Sequence, residues 1–221
     1  MLEDTCHSTI KTKKSLFCFV LFSLIRTFAG MNQFKENVIL VDADHIDRVA
    51  FDLTVNFERM IGRRIPKADL AKWIDCVALD GGLRPKDGQQ TQVIVIHSAQ
   101  KKALDNFAPS DLEGDINGQA FSDNLGEFVF ETHAVEDIAD ADSLFTEALQ
   151  VVCSQPEVKR LIVVPGDAIY NNVREVLRKA DDPDKHITVL TMQPEPGGQF
   201  RQELLGYSLM AALGIKADEI R

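Results

Sequence analysis

The run Val38-Ile39-Leu40-Val41 carries no polar residue. Side chains on a strand point alternately to two faces, so such a run is stable only where both faces are covered, as inside a parallel sheet. A helical pattern follows almost at once: Ile46, Val49, Leu53, Phe57, Met60 and Ile61 recur at three- and four-residue steps. Asp44 or Asp47 can cap its start and Gly62 can end it. A doubly buried strand feeding directly into an amphipathic helix restricts the chain to an α/β architecture.

The rest of the sequence repeats that alternation. A second helix opens near Pro66 with Leu70, Trp73, Ile74 and Val77 on one face and stops at Gly81-Gly82. Thr91–His97 reads as the second strand, Ser98–Phe107 as a short helical stretch, and the residues from Ala108 to Gly126 as a long loop. Glu127–Glu131 alternates like a third strand nearer an edge. The stretch Ala139–Ser154 predicts a helix whose first turn is acidic, with Asp140 and Asp142. Lys159–Asp167 reads as a fourth strand ending in Pro165-Gly166-Asp167, with a helix behind it. His186–Met192 is a fifth strand, and Phe200, Leu204, Leu205, Leu209 and Leu213 mark a final amphipathic helix. The expectation is one Rossmann-like α/β domain: a mostly parallel five-stranded sheet, order 3-2-1-4-5 along the chain, with helices on both faces.

A chain of 221 residues can bury such a core without disulfides. The four cysteines, Cys6, Cys18, Cys76 and Cys153, show no metal-binding spacing; Cys76 and Cys153 read as reduced core thiols. A formal charge of −10 denies the molecule a broad basic face for nucleic acid. Arg59, Arg63, Arg64 and Lys67 form a local basic cluster, read as a solvated helix end. Residues 1–30 stand apart from the domain, 31–221. Lysines precede an apolar run, Ser15–Ile25, too short for a comfortable membrane span. Three readings stay open: an over-extended start ahead of Met31, a signal or anchor, or a structured extension. The first places the domain in the cytoplasm and the second exports it; residues 31–221 offer no membrane segment.

In open parallel sheets ligands bind beyond the carboxyl ends of the strands, where strand order reverses. With the expected order, Asp42 and Asp167 end neighbouring strands there. Asp44 and the acidic helix start at Asp142 supply further oxygens. Converging carboxylates repel and desolvate one another, and Mg²⁺, which prefers oxygen ligands, relieves that cost. The plain alternative is that these aspartates cap helices. His45, His97 and His133 are scattered, His97 at the same edge, while Asn171 and Asn172 follow the fourth strand. Neither a nucleophile elbow nor a P-loop is present.

The sequence "VDADHI" around Asp42 and Asp44 and "VPGDAIY" around Gly166, Asp167 and Tyr170 resemble the two acidic motifs of PIN-like domains of the NYN ribonuclease branch. Asp140 and Asp142 fall in the slot of that family's intermediate aspartate. The resemblance covers about residues 36 to 192. It implies a PIN-like fold, metal held by Asp42, Asp167, Asp44 and Asp142, Mg²⁺ as cofactor and RNA as partner, although the net negative charge disfavours RNA. His45, Pro165 and Ile169 depart from the motifs, and Ile169 stands where a second aspartate belongs. The whole chain is also similar to small uncharacterised proteins of Bacteroidetes-type bacteria, which implies no particular activity. Two further readings stand beside the nuclease. One is a non-catalytic PIN-like scaffold for a protein partner or a second copy. The other is a haloacid-dehalogenase-type phosphatase using Asp42 as nucleophile and Asp44 as acid–base, although that family's late acidic residue is replaced by Asn171 and Asn172.

Overall fold

The computed structural model describes residues 33–135, 141–180 and 182–220. The chain divides into Met1–Phe34 and Lys35–Arg221, and the sheet with its helices belongs to the second unit. Strand β1 (Asn37–Asp42) passes without a loop into α1 (Ala43–Ile61), which Gly62 ends in the left-handed conformation at φ +70°. The short β2 (Ala68–Asp69) precedes α2 (Leu70–Asp80), then come β3 (Gln90–Ser98) and β4 (Phe107–Ala108). A single π turn, Leu112–Ile116, leads to the hairpin of β5 (Ala120–Asp123) and β6 (Gly126–Val135). Helix α3 (Ala141–Ser154), β7 (Arg160–Val164), a 3₁₀ turn at Asp167–Ile169 and α4 (Tyr170–Lys179) follow. The chain then forms β8 (His186–Thr191), β9 (Arg201–Leu204), α5 (Leu205–Ala212) and a last 3₁₀ turn, Ala217–Ile220.

The main sheet has seven strands in the order β5-β6-β3-β1-β7-β8-β9, while β2 and β4 pair separately. Every pairing is parallel except β5 with β6. The expected five-stranded sheet is therefore corrected, and with it the order: the five stretches read as strands form the interior, and β5 and β9 extend it at both ends. The two additions are edge strands with one neighbour each, so they need no continuous apolar run. Residues 201–204, Arg-Gln-Glu-Leu, are too polar to signal a strand by composition, which is why Leu204 reads as the first turn of a helix.

The alternation of β1 builds two cores. Ile39 and Val41 pack with Val93, Val95, Ile162 and Val164 beneath Ile46, Trp73, Val77, Leu205 and Leu209, the side covered by α1, α2 and α5. Val38 and Leu40, equally buried, face the other side, where α3 packs on β1, β3 and α4. Trp73 meets Phe107 edge to face at a centroid distance of 5.6 Å, fastening the small β2–β4 sheet to α2.

Two local expectations fail for physical reasons. Helix α2 begins at Leu70, capped by the Asp69 carboxylate on the Lys72 N–H, so Pro66 lies before it in extended chain. The stretch from Ser98 to Phe107 is not helical: its groups bond outward to the start of α1. The Asp44 carboxylate accepts the Ser98 N–H at 2.8 Å, and Asp47 takes both the Lys101 ammonium at 2.7 Å and the Asn106 N–H at 2.8 Å. Tertiary bonds override the local helical tendency.

Asp75 of α2 lies near Asp123 at the β5–β6 turn. Burial pushes the Asp75 carboxyl up to about 7, and the neighbouring Asp123 carboxylate adds to the rise. Since the folded state holds this proton more tightly than the unfolded chain, its stabilising effect is full below about pH 4 and is lost as pH rises through about 7. Asp75→Asn is expected to flatten that decline. At pH 8 it should raise Tm by about 2–4 °C, the response to roughly 1 kcal/mol once solvent screening is counted. Calorimetric melting at pH 5 and pH 8 checks it.

Candidate functional site

The strand order reverses between β1 and β7: the chain runs from β1 outward to β3 on one side and to β7 on the other. Asp42, the last residue of β1, is the cap of α1; its Oδ1 accepts the His45 N–H at 3.0 Å. This replaces the expected caps: Asp44 bonds to Ser98 at the end of β3, and Asp47 to the segment after it. The cap turns Asp42 toward β7, where Gly166 leaves room for it. A Cβ on Gly166 would stand 2.7 Å from Asp42 Oδ2. Gly166→Ala is therefore expected to displace this carboxylate while sparing the apolar layers. A carbon-13 titration of Asp42 should show its pKa falling toward the ordinary range.

Burial pushes the Asp42 carboxyl up to about 6. The His45 N–H opposes that rise, the Asp44 and Asp142 carboxylates add to it, and Arg48 partly offsets them. Asp142 lies in the first turn of α3, half-buried. Asp44 and Asp142 thus lie within electrostatic reach of Asp42. Asp167 faces a different partner: its side chain is 63% exposed and its Oδ1 lies 3.9 Å from His45 Nε2. Asp140 lies outside the described residues.

His45 is the residue that the sequence left among scattered histidines. It sits three residues after Asp42 and three before Arg48, so one face of the first turns of α1 carries all three. It is 1% exposed, and burial lowers its pKa, with Asp167 opposing and Arg48 reinforcing. Arg48 Nη2 lies 3.1 Å from His45 Nδ1. A guanidinium has only donors, so Nδ1 accepts and the proton of the neutral ring resides on Nε2. Among the described residues that buried N–H has no hydrogen-bond partner, because 3.9 Å to Asp167 exceeds hydrogen-bond reach. Burial disfavours the charged imidazolium, and the nearby Asp167 carboxylate opposes that preference.

The remaining sequence candidates have other roles. Ile169 is buried in the core, and Tyr170, also buried, donates its hydroxyl to the Gly197 carbonyl at 3.4 Å. Asn171 and Asn172 are exposed. His97 is buried with its Nδ1 3.0 Å from the Ser98 carbonyl. The basic cluster is partly neutralised, Arg63 by Glu219 and Arg64 by Glu58. Cys76 and Cys153 are free thiols. Among the described residues no group of three or more His, Cys, Asp or Glu side chains is arranged to hold a metal ion, and no helix is long and apolar enough to cross a membrane.

No curated protein and no solved structure matches the chain. A family model does, over residues 31–220, and the chain therefore belongs to the family of unknown function DUF6621.

Proposed function

We propose that the domain is a PIN/NYN-like protein with a reduced acidic site that cleaves RNA with the help of Mg²⁺. What supports this reading is that the Asp44 and Asp142 carboxylates act electrostatically on Asp42, which lies against Gly166 where strand order reverses. Such a concentration of negative charge calls for a cation. Mg²⁺ needs few protein ligands, one or two carboxylates with water and substrate phosphate completing its shell, so a site without a third protein donor fits it. Asp42 and Asp142 would hold the ion, and Asp44, one of whose oxygens accepts the Ser98 N–H, would add charge beside it. When bound, the ion would supply charge neutralisation at a phosphodiester and lower the pKa of a bound water.

The chain's own groups have distinct tasks in this reading. Asp42 is fixed by the cap bond to His45, Gly166 lets it approach β7, and Arg48 stands by as a cation for a substrate phosphate. Asp167, exposed on its 3₁₀ turn, is placed to orient water rather than to bind the ion directly. A non-catalytic PIN-like scaffold for a protein partner or second copy is the second reading. It is favoured by Asp167 facing His45 and by Ile169, which is core where a second motif carboxylate would stand.

The test is cleavage of a labelled single-stranded RNA by the full chain in Mg²⁺, with Asp42→Asn and Asp142→Asn beside it. The nuclease reading expects cleavage that falls at least about 100-fold in Asp42→Asn. Absence of cleavage by the wild-type chain favours the scaffold, and release of phosphate from a simple phosphomonoester, lost in Asp42→Ala, favours the phosphatase chemistry.

A further inference from the structure

The opposite edge of the sheet, where β7, β8 and β9 begin, holds a cavity of about 280 Å³. Arg160, Lys185, His186, Phe200 and Arg201 line it together with Gly81, and among the described residues no carboxylate does. A wall with this charge is unexpected in a chain of net charge −10. The arginines converge. Gly82 has φ +81°, and a Cβ built on it would stand 3.1 Å from Arg160 Nη1 and 3.7 Å from Arg201 Nη1. Two guanidinium nitrogens therefore lie within about 7 Å of each other, a separation at which like charges repel.

The existing bonds leave donors over. Arg160 Nη1 donates to the Gly81 carbonyl at 2.7 Å, which fixes the side chain against the end of α2. Arg201 turns Nε and Nη2 to Glu203, so Nη1 is the edge directed at Gly82 and Arg160. Lys185 is buried, its ammonium donating to the Cys153 and Gln155 carbonyls at the end of α3. Among the described residues, the acids that act on these groups, Glu36, Asp80, Glu203, Asp182 and Glu157, all stand outside the cavity wall.

We propose that this cavity is a binding site for a phosphoryl group, carried by a small phosphomonoester. Two arginines approaching from different strands suit a tetrahedral anion, whose several oxygens can take donors from both sides at once. The cavity is larger than inorganic phosphate requires, and the remaining room, beside Phe200, takes the organic part of an ester. The site lies at the amino edge and does not depend on the acidic site at the carboxyl edge being catalytic.

Calorimetric titration of the full chain with inorganic phosphate and with ribose 5-phosphate, at constant ionic strength, tests the assignment. The expected result is saturable one-site binding, tighter for ribose 5-phosphate, weakened at least tenfold in both Arg160→Gln and Arg201→Gln and unchanged in Arg64→Gln. Arg201→Gln leaves the Gly81 bond intact and so carries the test if Arg160→Gln fails to fold. Tighter binding of the inorganic ion than of the ester retains the phosphoryl site and overturns the ester as its occupant. Absence of saturable binding, or wild-type affinity in the folded arginine variants, overturns the proposal as a whole.

Discussion

Asp47→Ala is expected to be the most destabilising single change at the acidic start of α1, costing about 3–5 kcal/mol. Asp47 is buried and accepts from the Lys101 ammonium, the Asn106 N–H and the Asn106 side-chain amide. Removing it strands a cation whose side chain is only 19% exposed and frees the chain between β3 and β4 from its anchor on α1. For a domain of this size the loss corresponds to a fall in Tm of roughly 6–20 °C. Asp44→Ala, which loses the bond to the Ser98 N–H, should cost about 1–2 kcal/mol. The double change Asp47→Leu with Lys101→Met should recover much of the loss, because an unpaired buried charge costs more than an apolar replacement of the pair. A Tm within 2 °C of wild type for Asp47→Ala, a threshold set by about 1 kcal/mol, would remove the anchor from this explanation.

Asp42→Asn should act in the opposite direction on stability while removing function. Asparagine caps a helix as well as aspartate does, so the bond to the His45 N–H survives. What disappears is a negative charge that burial, Asp44 and Asp142 all disfavour. Because the folded-state pKa is raised to about 6, the protonated form is favoured by folding. The stabilisation is full below about pH 4 and is lost as pH rises through 6. At pH 8 the wild-type chain bears the full cost, and Asp42→Asn should therefore be more stable by about 1–2 kcal/mol. At pH 4 the difference should shrink toward zero. A cap alone would leave ionised Asp42 at least as stabilising as asparagine at pH 8, because the helix N-terminus favours the negative charge; a carboxylate kept at a cost in stability is what a functional site displays. Melting of both proteins across pH 4–8, beside RNA cleavage, separates the two.

The interior of the fold was legible because its signals are strong and local. Val38–Val41, Leu161–Val164 and the helical spacing of α1 each have one stable arrangement, and the carboxyl edge with Asp42 follows from them. The edges were not legible. β5 and β9 are short and polar, and they exist because β6 and β8 offer them backbone partners. Ser98–Phe107 has the composition of a helix, and only the distant Asp44 and Asp47 decide otherwise. The site shows the same division. The DxD motif located Asp42, but its cap role, the room made by Gly166 and the turning of Asp167 to His45 are three-dimensional facts. His45 carried one usable signal, its three-residue spacing from both Asp42 and Arg48. That pattern puts the His45 N–H on the Asp42 carboxylate and its buried imidazole beside Arg48.

The acidic site stands or falls on whether Asp42 and Asp142 act on one cation. Calorimetric titration of the full chain with Mg²⁺ measures this directly, with Asp42→Asn and Asp142→Asn titrated alongside. Two carboxylates sharing an ion require one-site binding in the wild-type chain and at least a tenfold loss of affinity in each variant. Absence of Mg²⁺ binding by the wild-type chain, or an affinity untouched by Asp142→Asn, would contradict a shared site.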